Sequence, residues 1–176
     1  DLVELGYQIT MNLTADFAGI DRPERSAAET AALLDVVKTF SEGATLVHST
    51  RDKEAVRAEV RAAMQRFDER FLQPSIAVRQ ALLDRHARGE IEEAALPRDI
   101  LTVLLRNEDR LELPPDLLRR EIAFYLQAGS HSTANSTVHA MHEVLQWGAS
   151  HPADRERMRR DAVFLQRCVH ESLRLH

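Results

Sequence analysis

Residues 114–147 read PPDLLRREIAFYLQAGSHSTANSTVHAMHEVLQW, and the rest of the chain is arranged around them. Two prolines and Asp116 suit the first turn of a helix. Leu118, Ile122, Tyr125 and Leu126 follow at helical spacing. The character then changes: Ser130 to Thr137 is S-H-S-T-A-N-S-T, with seven of eight residues polar. Serine, threonine and asparagine bond their own backbone in competition with the helix. Each costs roughly 0.5 kcal/mol against alanine in a helix interior. The apolar pattern resumes at Val138, Met141, Val144, Leu145 and Trp147. The pattern predicts one long central helix over about 114–148, weak in its middle and strong at both ends.

Within that helix Ala128, Ser132, Ser136 and Ala140 recur every four residues and form one ridge of small side chains. Gly129 and Thr133 form the next ridge. Such a surface admits either a flat, bulky ligand or a second helix packed closely. The hydroxyls are also placed to bond carbonyls one turn back and bend the helix.

Outward from the centre, the chain again reads as helices. Leu5, Ile9, Leu13 and Phe17 form an apolar stripe and predict a first core helix, closed by Gly19 and Pro23. Ser26 or Glu29 starts a second, with Ala32, Leu33, Val36, Val37 and Phe40 on one face and Gly43 interrupting it. Asp52 to Leu72 carries Val56, Val60, Met64, Phe67 and Phe71 beneath a dense Arg/Glu face, most simply a solvated one. Pro74 ends or kinks that helix, and a further segment runs to Gly89. Pro97-Arg98-Asp99 opens a short helix before a turn at 107–109. After Trp147, residues 148–152 stop and restart the chain. Asp161 begins the final helix, whose inward face is Phe164, Leu165, Cys168, Ser172 and Leu175. No strand alternation and no internal repeat is visible, so the fold class is all-α, about two thirds helix.

Composition bounds the function. The chain has 176 residues, enough for a real core, with only six glycines and six prolines. A net charge of −5 argues against a nucleic-acid partner. No apolar run approaches the ~18 residues of a membrane span. The one cysteine, Cys168, excludes an internal disulfide framework. Both ends fall inside helical patterns, which predicts that residues 1–176 are a single helical piece of a larger domain.

Two motifs resemble one family. Ala128-Gly129-Ser130-His131-Ser132-Thr133 resembles the oxygen-binding helix of the haem-thiolate monooxygenases, the cytochrome P-450 family. Its pattern there is Ala/Gly-Gly-any-Asp/Glu-Thr-Thr/Ser. His131 stands in the slot of the acid, and Ser132 in that of the threonine. Downstream, Glu171-Ser172-Leu173-Arg174-Leu175-His176 resembles the family's Glu-any-any-Arg helix with its following Leu-His. Asn12, Ala15, Asp16, Phe17 and Ala18 resemble the helix before the substrate lid, and residues 99–105 the segment before the oxygen-binding helix.

The resemblance implies the helical middle portion of a P-450 fold, without its N-terminal part and without the haem-cysteine loop. It implies haem b, O2, a small organic substrate, and electrons from a ferredoxin or a flavoprotein reductase. By position, Ala128, Gly129, Ser132 and Thr133 border the cofactor, and Phe124, Gln127 and Ala128 face the substrate. Ser132 and His131 are the implied proton-handling pair. Glu171 and Arg174 are implied to be a buried structural pair, and the axial cysteine is expected after His176. Cys168, on an apolar helical face, reads as a small hydrophobe and not as a ligand. A cytoplasmic location is the expectation.

Two other readings come from the residues themselves. His139 and His142, beside Glu143, have metal-like spacing and suggest a helical metal-binding protein. A non-enzymatic all-α ligand-binding module is the other.

Overall fold

The computed structural model describes residues 2–175. Asp1, and His176 at the end of the second motif, lie outside the described residues. Helix accounts for 84% of them, with no strand, so the chain is all-α. Among the described residues nine α-helices follow in order: α1 Leu2–Ala18, α2 Ala27–Ala44, α3 Lys53–Phe67, α4 Gln73–Ala87, α5 Ile100–Arg106, α6 Glu108–Leu111, α7 Pro115–Ser150, α8 Pro152–Arg160 and α9 Ala162–Leu175. The chain divides into two compact units, residues 8–130 and residues 1–7 with 131–176. Both α1 and α7 run through the division.

In residues 8–130 the core is one cluster. Leu33, Val36, Val37 and Phe40 of α2 meet Ala63 and Phe67 of α3, Leu101 of α5, and Leu118, Ile122 and Leu126 of α7. Phe40 and Phe67 pack edge to face at 5.7 Å. The starts of α2, α3 and α5 are set by side-chain caps. Ser26 accepts from the Glu29 amide, Asp52 from Ala55, and Asp99 from Thr102. Gly43 does not interrupt α2. It lies within the helix, because a Cβ there would come within 2.7 Å of Val60 Cγ2, and its absence lets α2 and α3 approach. Before Pro74 the chain makes a π-helical turn, Asp68–Leu72. Proline supplies no amide hydrogen and crowds the preceding turn, so the helix widens there instead of ending.

The α1 stripe is a correction. Ile9, Leu13 and Phe17 are 57%, 50% and 62% exposed, and Leu5 is also exposed. The buried face is Thr10, Met11, Ala15 and Ala18. Ala15 and Ala18 let helix backbones come close, Met11 joins the core cluster, and Thr10 and Asn12 supply polar anchors. Thr10 donates to the Ser130 carbonyl at 3.2 Å, and Thr30 to Asn12 Oδ1 at 3.1 Å.

Residues 1–7 with 131–176 bury less. Ala134, Ala140, Met158 and Ser172 are the buried positions on α7, α8 and α9, with Gly6 and Gly148. Of the face expected to point inward on α9, only Ser172 is buried. Phe164 and Cys168 are half-buried, and Leu165 and Leu175 are exposed. His151 stacks on Trp147 with ring centroids 3.6 Å apart, and Trp147 Nε1 donates to Asp154 at 2.9 Å, closing the α7–α8 corner.

Candidate functional site

The polar middle of α7 stays helical, because tertiary packing outweighs propensity. Ile122, Leu126, Ser130 and Ala134 are all buried on one face. Two hydroxyls bond one turn back, Ser130 to the Leu126 carbonyl and Thr137 to the Thr133 carbonyl, each at 2.8 Å. Those bonds satisfy the hydroxyls along the helix, and α7 runs unbroken for 36 residues.

The residues of the first motif diverge around the helix. Ala128, Ser132 and Thr133 are exposed. Ser130 is fully buried. Gly129 does not offer an open face. A Cβ there would lie 2.7 Å from Thr14 Cγ2, so the space beside Gly129 is filled by α1. His131 is half-buried, its ring 5.2 Å from that of Tyr7 and edge-on to it. The Tyr7 hydroxyl donates to Asn135 Oδ1 at 3.2 Å. The open strip is therefore Ala128 and Ser132, one turn apart, with Thr133 beside Ser132.

One turn earlier, Phe124 and Gln127 line a cleft of ≈ 400 Å³ between α2, α3 and α7. Phe124 is largely exposed there, and Gln127 is half-buried. The other residues of this cleft include Arg57, Arg61 and Arg120. On amphipathic helices such arginines read as part of a solvated face, because they usually face only water. The signal was present in the i, i+4 spacing of Arg57 and Arg61.

The Glu171–Arg174 pair forms on α9. Arg174 Nε donates to Glu171 Oε1 and Oε2 at 2.9 and 3.0 Å, and Nη2 donates to Oε1 at 2.6 Å. The pair is not buried as expected: the side chains are 67% and 58% exposed. Its i, i+3 spacing on an outward face closes the contact without other elements. The hydrogen bond from Arg174 holds the Glu171 carboxyl below its usual range.

Cys168 lines a second cleft of ≈ 460 Å³ with Trp147, Phe164 and Ser172. The buried Ser172 hydroxyl has no hydrogen-bond partner among the described residues. His139 and His142 are both exposed. Among the described residues no group of three or more His, Cys, Asp or Glu side chains is arranged to hold a metal. None of the described helices is long and apolar enough to cross a membrane. No protein-family model, curated protein or solved structure matches the chain.

Proposed function

We propose that this chain is the oxygen-side portion of a haem-dependent monooxygenase of the cytochrome P-450 type, cytoplasmic, which oxidises a small organic substrate. One observation carries the reading. An Ala-Gly-x-x-Ser-Thr turn sits inside a single 36-residue helix, and a closed Glu-x-x-Arg ion pair lies on the helix two elements later.

Ala128, Ser132 and Thr133 have small exposed side chains, which a flat macrocycle needs for close approach. Gly129 is withdrawn from that role, since Thr14 fills its bare side. Cys168, which lines the ≈ 460 Å³ cleft with Trp147 and Phe164, would not hold the haem in this reading. When bound, haem supplies the redox chemistry that inserts one oxygen of O2 into the substrate, with two electrons from a ferredoxin or flavoprotein reductase.

The chain's own residues have three tasks. Ser132 carries an exchangeable proton at Oγ, on the open strip, and passes it toward the oxygen side. It lacks threonine's methyl, so its rotamer is less restricted. His131, next to it and edge-on to Tyr7, stands in the slot of the family's carboxylate as the second proton-carrying group. Phe124, Gln127 and Ala128 bound the substrate side. Glu171 holds the Arg174 guanidinium in place as a structural anchor.

The test is spectroscopic. The protein that contains this chain, purified, reduced and treated with carbon monoxide, is expected to show an intense thiolate-type Soret band. Ser132→Ala and His131→Ala are expected to lower product formed per electron consumed. A protein with no Soret band overturns the monooxygenase reading. Wild-type coupling in both variants overturns the proton roles alone.

A further inference from the structure

We propose that the cleft walled by α2, α3 and the first half of α7 binds an amphipathic organic anion, an apolar chain ending in a carboxylate or phosphate. The floor is apolar: Phe40, Val56 and Ala123 are buried there, with Met64 half-buried beside them. Phe124 is a wall, its ring 59% exposed and tilted against that of Tyr125 at 6.1 Å. Every ionisable side chain lining the cleft is an arginine: Arg57, Arg61 and Arg120. The whole chain has 28 acidic against 23 basic residues. A lining of three cations and no carboxylate runs against that balance.

The charges are incompletely matched. Arg57 pairs with Glu54, and Arg120 pairs with Asp116 at 3.3 Å, but neither carboxylate lines the cleft. Arg61 has no acidic partner among the described residues. Arg57 and Arg61 stand one turn apart on α3, so their like charges repel, and an anion between them relieves that repulsion. Guanidinium forks match the two oxygens of a carboxylate or phosphate. The cavity volume falls within the range of small-molecule sites. Gly43, which also lines the cleft, lets Val60 close against α2. An apolar chain then lies along Phe40, Met64 and Phe124 while its head meets the arginines. This deepens the monooxygenase reading by naming its substrate class, and it rests on that reading only in calling the ligand a substrate.

Titration calorimetry on the purified protein tests it, using decanoate below its micelle concentration, decyl phosphate, decanol and decyltrimethylammonium. One anion, whichever head fits the fork better, is expected to bind saturably and about 10-fold or more tighter than decanol. The cation is expected not to bind. Arg61→Gln with Arg120→Gln is expected to weaken the anion about 10-fold and leave decanol unchanged. Arg61→Glu is expected to remove the preference for anions over the cation. Equal binding of decanol and decanoate, no saturable binding, or arginine variants without effect overturn the proposal. Anion-selective binding by a protein with no haem spectrum overturns only the monooxygenase reading. A haem spectrum without anion selectivity overturns only the ligand class.

Discussion

Arg79 and Asp99 meet inside residues 8–130, with Arg79 Nη2 and Nε 2.9 and 3.1 Å from Asp99 Oδ2. Both are buried, 5% and 7% exposed. Arg79 also donates to Asp21 at 2.6 Å, and Asp99 Oδ1 caps α5 by accepting from the Thr102 amide at 2.7 Å. Burial pulls the Arg79 pKa down, but hydrogen bonds to Asp21 and Asp99 more than offset it, and the guanidinium stays charged. One cation thus ties α4 to α5 and to the loop after α1.

Removing that cation strands a buried carboxylate. Arg79→Ala is expected to destabilise the protein by about 3–5 kcal/mol, read as the shift of the urea unfolding curve. Arg79→Met with Asp99→Asn, which keeps a cap acceptor, is expected to lose clearly less. Equal losses would show that the charge itself is not what matters.

Gly19 guards the same contact. It lies at φ +87°, and a Cβ there would be 2.5 Å from Asp99 Oδ1 and 2.8 Å from Leu101 Cβ. Gly19→Ala is expected to cost about 1–3 kcal/mol from backbone strain and crowding. Little or no change in the unfolding midpoint would mean that this loop yields easily.

Gly129 gives a sharper test, because two effects oppose. Alanine in a helix interior gains about 1 kcal/mol over glycine. The Thr14 methyl at 2.7 Å makes overpacking cost about 1–3 kcal/mol. Gly129→Ala is expected to lower stability, and Thr14→Ala in the same protein to restore it. If Gly129→Ala alone stabilises, the bare side of Gly129 is not needed for α1.

Asp161 sets a pH dependence. The amide of Phe164, donating at 2.9 Å, holds its carboxyl below the usual range, with Arg157 adding to the effect. A depressed folded pKa stabilises the fold fully above the unfolded value, near ~3.9, and that contribution is lost as pH falls through the folded value. The Phe164 amide proton is expected to shift in an NMR titration with a midpoint below ~3.9. Asp161→Asn is expected to abolish that shift. A midpoint at or above the ordinary value would contradict the cap.

For the exposed Glu171–Arg174 pair, Glu171→Ala is expected to leave the thermal midpoint of residues 1–176 unchanged, since solvent screens both charges. A marked drop would show that the pair is held in a less polar place than α9 gives it here.

By itself the sequence determined the all-α class, the span of α7, the core faces of α2 and α3, and the starts of α3 and α5 near Asp52 and Asp99. These are local: a 3.6-residue period and a polar side chain three residues before an amide suffice to specify them. Which face of α1 is buried was decided only in three dimensions. Leu5, Ile9, Leu13 and Phe17 form the better apolar stripe, yet Thr10, Met11, Ala15 and Ala18 are inside, because Met11 joins the core cluster while close approach and a hydrogen bond to distant backbone favour the small residues Ala15, Ala18 and Thr10. The same holds for Gly129, turned to Thr14, for Arg79, drawn inside by two carboxylates 58 and 20 residues away, and for the arginines of the cleft. Thr14, Asp21 and Asp99 lie far along the chain from the residues they meet, and the cleft puts Arg120 of α7 in one lining with Arg57 and Arg61 of α3, which no period within one helix encodes.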